Sequence, residues 1–196
     1  MSEAGRLDRR AAVGTLLKPR MDTIVVSGLG SPTYDVAAFG DDPLNFYLWG
    51  AMGGAAMVGL GLAIAQPSSP VVVFTGDGEM LMGMGSFAAI AGQAPANLSI
   101  VIIDNELYGE TGAQETHTAR GADLAAIARA SGIPNTETVT DTDGVENLSG
   151  RLHLYSGGPR VAVLKVGAAP SGKTLVVRDG AYNKGRLREA LNLPPD

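Results

Sequence analysis

Short apolar runs alternate with longer segments of helical period along the whole chain. The runs are "TIVVS" (23–27), "NFYLW" (45–49), "VVVFT" (71–75), "LSIVIID" (98–104), a shorter stretch near 137–140, and "RVAVLKV" (160–166). They are mostly continuous, not alternately apolar and polar, which marks strands buried on both faces. Between them the periodicity predicts helices over 6–18, 53–65, about 82–92, 122–132, 143–155 and 184–192. Leu7, Ala11, Leu16 and Leu17 fall on or near one face of the first. Pro67 stops the second, and Gly132 is a candidate C-cap for the fourth. Residues 168–182 read as irregular. This alternation predicts an α/β fold, a three-layer α/β/α arrangement around a mostly parallel sheet of about six strands. Ligands in such folds sit at the carboxyl ends of the strands, here the loops 28–35, 76–79 and 104–115.

Composition narrows the partners. A chain of 196 residues suits one domain, 1–196, with a core over about 6–166 and a C-terminal extension over 168–196. Hydrophobic residues are 45% of the chain and charged residues 18%, an apolar balance that points to burial against other chains. A net charge of −5 argues against nucleic acid or an anionic membrane surface as partner. With no cysteine there is no disulfide, no thiolate metal site and no cysteine nucleophile, which fits the expected cytoplasmic location. Arg6, Asp8, Arg9 and Arg10 rule out a signal-peptide reading of the N-terminus, and these arginines are expected on the solvated face of the first helix. The most apolar window, "WGAMGGAAMVGLGLAIAQP", is short for a membrane span and rich in glycine, so it reads as a closely packed buried helix.

Candidate chemistry begins where the third run ends, at Gly76-Asp77-Gly78. Glycines expose backbone N–H groups and let a ligand approach; a following helix favours an anion. An aspartate in that place repels a phosphate unless a cation lies between them. Taken alone, the tripeptide serves equally well as a tight turn. The next strand changes the balance, because it ends in Asp104-Asn105, with 26 residues between Gly78 and Asn105. Asp and Asn are hard oxygen ligands suited to Mg²⁺, and adjacent strand ends bring them close together.

"GDGEMLMGMGSF…IIDNELYGETG" resembles the Gly-Asp-Gly…Asn signature of thiamine-diphosphate enzymes. The resemblance implies that Asp77, the Asn105 side chain and the Leu107 carbonyl bind Mg²⁺, and that the N–H groups of Gly78 and Glu79 hold the diphosphate of thiamine diphosphate. The family usually has Asn-Asn where this chain has Asp104-Asn105, a departure at the residue that is not the ligand. "WGAMGGAAMVGLGLA" is similar to the segment that precedes Gly-Asp-Gly in the family's decarboxylases. It implies that the Gly50 carbonyl meets the cofactor's amino group and that Met52 wedges between its two rings. "VVSGLGSPTYDV" resembles the domain's first strand and loop and makes Gly30 and Ser31 candidates near the diphosphate, although Ser31 could instead cap the turn before Pro32. Gly76, Tyr108, Gly109 and Glu110 complete the candidate cofactor contacts. The resemblance covers roughly 6–166. It is similar to the diphosphate-binding half of sulfopyruvate and phosphonopyruvate decarboxylases, which in the former is a separate subunit.

In that family the glutamate that activates the cofactor belongs to a different, pyrimidine-binding domain. No second α/β unit is visible here to supply it. Glu79 and Glu110 lie at the metal end and are expected at the surface or behind the ligands. The resemblance therefore implies a partner, a pyrimidine-binding alpha subunit in a hetero-oligomer such as α2β2 or larger, and a small 2-oxo acid substrate. A thiamine-diphosphate carboligase or synthase subunit, or a non-catalytic cofactor-binding assembly module, are the alternatives. His117, just after the metal loop, is a candidate acid/base group or a solvated loop histidine; His153 is expected to be structural. Arg178, Lys184, Arg186 and Arg188 read as surface or subunit-contact residues.

Overall fold

The computed structural model describes residues 5–154, 157–169 and 172–194. Residue 155 of the expected 143–155 helix, and residues 170–171 and 195–196 of the C-terminal extension, lie outside them. Six strands form one sheet: β1 (Ile24–Ser27), β2 (Asn45–Tyr47), β3 (Val71–Gly76), β4 (Leu98–Asp104), and, after a two-stranded hairpin of β5 (Leu107–Tyr108) and β6 (Gln114–Glu115), β7 (Asn135–Val139) and β8 (Arg160–Lys165). Their spatial order is β2-β1-β3-β4-β8-β7 and every pairing is parallel. The expected architecture is thus present, with the sheet wholly parallel.

Helices cover both faces: α1 (Arg9–Leu17), α2 (Ser31–Phe39), α3 (Ala55–Ala65), α4 (Asp77–Met82), α5 (Ser86–Gln93), α6 (Leu124–Ala130), α7 (Thr142–Leu152) and α8 (Gly180–Ala190). Alternate residues of one strand feed opposite cores. Val71 and Val73 pack with α3, α5 and α6, whereas Val72 and Phe74 pack with α1, α2 and α7. Two-sided burial is why the strands read as continuous apolar runs. Among the described residues no helix is long and apolar enough to cross a membrane; the glycine-rich window forms a turn after β2 and then α3.

Three expectations are corrected in detail. Residues 31–35 of the expected loop 28–35 are helical, part of α2, with Gly30 at its N-cap and Pro32 in its first turn, where the missing N–H costs nothing. The helix expected over about 82–92 starts only at Ser86, because the chain turns at residues 83–85 after the separate short helix α4; a Cβ on Gly83 would collide with the Gly53 carbonyl. The last helix starts at residue 180, not 184, because the Asp179 carboxylate caps the N–H groups of Ala181 and Tyr182. From α8, Arg186 reaches back to Asp41 (2.6 Å) and the Asn45 carbonyl (2.8 Å), which ties the C-terminal segment to β2.

Candidate functional site

The carboxyl ends of β1, β3 and β4 open into one cleft. Its walls include Ser31, Met52, Gly76–Glu79 and 107–111, so the three loops singled out in the sequence meet there. Strand β3 runs without interruption into α4, whose first residue is Asp77.

Asp77 is buried, with 2% exposure. Its Oδ2 accepts from the Thr116 hydroxyl at 2.5 Å and the Thr118 hydroxyl at 3.0 Å. Thr118 also lies 2.8 Å from Oδ1 of Asp104, so one hydroxyl proton faces two buried carboxylates. Burial first, and then the negative charge of Asp104, push the Asp77 carboxyl up to about 6, against the pull of Thr116, Thr118 and the Gly78 N–H. Asp104 has its own cation: Lys165, its register partner at the end of β8, donates to it at 2.6 Å. Lys165 also meets Glu106 at 3.1 Å, and Glu106 accepts from Arg6 at 2.6 Å. Burial pushes the Glu106 carboxyl up, but Arg6 and Lys165 outweigh it and hold it below its usual range. Burial pushes the Lys165 ammonium down, but Asp104 and Glu106 hold it above its own. Asp77 has no such cation. Its Oδ1 has no side-chain partner among the described residues.

Asn105 and Leu107 line the same cleft, and Asn105 Oδ1 accepts from the Leu107 N–H at 3.1 Å. Among the described residues no group of three or more His, Cys, Asp or Glu could hold a metal. A cation here would be held by one carboxylate, one amide oxygen and backbone carbonyl. That donor set is all hard oxygen and fits Mg²⁺.

Close packing shapes the cradle beside it. The Tyr108 ring lies on Gly78, where a Cβ would collide with it. The Glu110 side chain rests against Gly30, and Lys173 approaches its carboxylate at 3.6 Å. Of the two places expected for Glu79, the surface is excluded: it is 5% exposed. Its Oε2 accepts from the Leu29 N–H at 3.1 Å, in space that exists only because residue 28 is glycine. Burial pushes the Glu79 carboxyl up, opposed by the Thr75 hydroxyl and the N–H groups of Leu29, Gly53 and Ala55. Oε1 nevertheless makes no hydrogen bond of normal geometry. Glu79 therefore ties the β1–α2 turn to α4.

The other candidates divide. Met52, Ser31, Gly76, Gly78, Tyr108, Gly109 and Glu110 line the cleft. Gly50 is exposed and lies outside its lining, with φ +87°. Gly30 meets the cleft's Glu110 but does not line it. His117 is exposed at the start of a 3₁₀ turn, while Thr116 and Thr118 on either side of it are buried against Asp77. His153 Nε2 donates to the Leu16 carbonyl (2.8 Å) and its Nδ1 lies 2.8 Å from the Thr23 hydroxyl, outside the cleft lining. Arg6 and Arg9, expected in solvent, are buried at 8% and 7% exposure. Sequence reasoning missed Thr116 and Thr118 as partners of Asp77, and Lys165 as partner of Asp104. A lysine closing an apolar strand beside an acid that closes its neighbour was the available signal for Lys165.

Comparisons with known proteins agree on one family. A model described as "Thiamine pyrophosphate enzyme, C-terminal TPP binding domain" matches residues 28–166. The chain is 43% identical over 137 residues to sulfopyruvate decarboxylase of Methanosarcina acetivorans, covering 70% of this chain and 35% of that protein. It is 40% identical over 127 residues to sulfopyruvate decarboxylase subunit beta of Methanothermobacter thermautotrophicus, covering 65% of this chain and 68% of that subunit. The match thus spans about a third of the first relative and about two thirds of the second. Among solved structures, benzoylformate decarboxylase from Polynucleobacter necessarius aligns with a TM-score of 0.66 over 85% of this chain and 34% of that one; at 19% identity this is a likeness of fold.

Proposed function

The chain belongs to the thiamine pyrophosphate enzyme family, through its TPP-binding domain, and on that footing we propose that it is the diphosphate- and Mg²⁺-binding subunit of a cytoplasmic 2-oxo acid decarboxylase. Residues 1–196 would form that one domain. The observation that carries the reading is Asp77, buried at a glycine-flanked strand end, fixed by two threonine hydroxyls and lying in one cleft with Asn105 and Leu107. A carboxylate placed beside Asp104 in that way costs stability until a cation shares it. A module serving assembly alone has no use for that cost.

In this reading Asp77, Asn105 and the Leu107 carbonyl hold Mg²⁺, and Thr116 and Thr118 aim Asp77. The N–H groups of Gly78 and Glu79 receive the diphosphate, with Gly30, Ser31, Gly76, Tyr108, Gly109 and Glu110 around it. Met52 supports the rings from the other side, with Gly50 beside it. When bound, thiamine diphosphate supplies the nucleophilic carbon and the electron sink that decarboxylation requires. The chain's contribution is to hold it and to keep water from Asp77.

A partner completes the site. Glu79 is committed to the Leu29 N–H, and Glu110 faces Lys173, so neither serves as the activating acid. The surface offered to a partner is unusual: no Asp, Glu, Lys or Arg occurs over residues 51–76 or 80–103. Met57 and Ile64 on α3, and Met82 and Met84 beside α5, stand exposed. A helix apolar on every side belongs in an interface. The partner is a pyrimidine-binding subunit, and the substrate is a 2-oxo acid with a second anionic group such as a sulfonate. With the partner present, thiamine diphosphate and Mg²⁺ should raise the melting temperature, and Asp77→Ala should abolish the rise. No rise in the wild-type complex would overturn the proposal.

A further inference from the structure

We propose that Arg9 is an anion-binding residue of the cleft and that its ligand is the terminal phosphate of the diphosphate, an inference that rests on the reading above. Arg9 begins α1 and precedes the residues, 28–166, that the family model covers. It is only 7% exposed, yet it lines the cleft together with Ser31, Pro32, Gly76 and Asp77. Its Nε donates to Oδ2 of Asp35, a residue of α2 with no exposed surface. The other oxygen of Asp35 accepts from Arg10 Nε at 3.1 Å. The terminal nitrogens of Arg9 have no hydrogen-bond partner among the described residues.

A guanidinium that is mostly buried, with its remaining donors turned to a cleft, is better satisfied by an anion there than by the little water it keeps. Its planar fork matches two oxygens of a phosphate, and Asp35 fixes the plane in advance. Two guanidinium groups against one carboxylate leave the cluster of Arg9, Arg10 and Asp35 with a net positive charge. Helix α2 adds to it: its N-cap is Gly30, with no side-chain cap, and Ser31 and Pro32 in its first turn line the cleft. An anionic side chain already rests there, since Glu110 lies against Gly30. The same cleft is lined by Asp77, which calls for a cation. One part suited to a cation and one suited to an anion together match a metal-bound diphosphate.

The test uses the chain with its co-purifying partner and measures binding by calorimetry in the presence of Mg²⁺. The ligands are inorganic pyrophosphate, thiamine diphosphate and thiamine monophosphate, and the proteins are wild type, Arg9→Gln and Arg9→Lys. Unliganded melting curves show that each variant is folded. Arg9→Gln should weaken pyrophosphate and thiamine diphosphate by about 10- to 100-fold, as expected for lost charge-assisted hydrogen bonds. Thiamine monophosphate should be affected less, so the preference for diphosphate shrinks, and Arg9→Lys should recover part of the loss. Should Arg9→Gln not fold, the diphosphate-to-monophosphate ratio in Arg9→Lys decides, because the compact ammonium loses the two-oxygen match. Equal affinities in variant and wild type, equal losses for all three ligands, or a change confined to the 2-oxo acid substrate would overturn the proposal. Failure of the cofactor reading looks different: wild type itself would bind no thiamine diphosphate.

Discussion

At the carboxyl ends of β3 and β4, acids are matched from within the chain: Asp104 by Lys165, Glu106 by Lys165 and Arg6, Asp77 by Thr116 and Thr118. On the outer face of α3 and beside α5 the chain does the reverse. Ile64 is 54% exposed and Met82 68%, with no charged residue in their segments to favour water. The polar region spends hydrogen bonds to hold one unneutralised carboxylate in a fixed place. The apolar region exposes surface that its own chain leaves uncovered. The difference teaches where this molecule is ordered from within and where it is not: the carboxyl-end cluster is tied by its own side chains, and the apolar surface is where the proposed partner would bind.

The sharpest way to break the polar region is Asp77→Ala, which should reduce Mg²⁺-dependent cofactor binding by at least about 100-fold in a calorimetric titration, the loss of a central hard-oxygen ligand. Asp77→Asn should do the same to binding but stabilise the unliganded protein. The sign follows from the raised carboxyl: its stabilising contribution is present below the ordinary value of 3.8 and is lost as pH rises through about 6. At pH 7.5 the Asn variant should gain on the order of 1–3 kcal/mol in denaturant unfolding, and the gain should vanish near pH 3.5. Equal stability at pH 7.5 would remove the claim that Asp77 is held at a cost.

Next in size is Lys165→Met. It leaves Asp104 and Glu106 without their shared cation and should destabilise by about 1–3 kcal/mol, discounted for the partial exposure of the lysine. A neutral result would mean that the network does not matter to the fold. Ile64→Glu probes the apolar region. It should change the chain's own stability by no more than about 0.5 kcal/mol while weakening co-purification of the partner by about tenfold or more. Unchanged recovery of the partner would move the interface elsewhere. The smallest effect concerns neither region and serves as a control. Burial holds the His153 imidazole below its ordinary 6.5, against the Leu16 carbonyl. The folded protein thus prefers the neutral ring, and stability should fall as pH drops below about 6.5, where the unfolded chain takes up the proton. His153→Gln should flatten that part of the melting profile without changing ligand affinity.

Much of this contrast was legible in the sequence because it rests on local pattern. Strand β4 is readable to the residue at 98–104, since two-sided burial makes it an apolar run broken only by Ser99 before it closes at Asp104. Asp77 and Asn105 stand out as polar groups closing such runs, and the uncharged stretches over 51–76 and 80–103 show where water is not the intended solvent. What was not legible depends on distance in space. Glu79 follows a glycine at a helix start, a setting usually solvated; a glycine 51 residues earlier, Gly28, makes the room that buries it. Thr116 and Thr118 read as polar loop residues, and only the hairpin of β5 and β6 folds them onto Asp77. Arg9 lies in a helix whose arginines all look solvent-facing, and its burial depends on Asp35 of α2. Helix α2 was hidden by a glycine- and proline-bearing start that reads as loop, although proline suits a helix's first turn.

The central claim is that this chain holds half of a catalytic site. The measurement that bears on it most directly is CO₂ release from a sulfonated 2-oxo acid, with thiamine diphosphate and Mg²⁺, by the purified chain and by the chain with its co-purifying partner. The account predicts turnover from the complex and none above background from the chain alone. Decarboxylation by the isolated chain at an ordinary enzymatic rate, about 1 s⁻¹ or more, would contradict it.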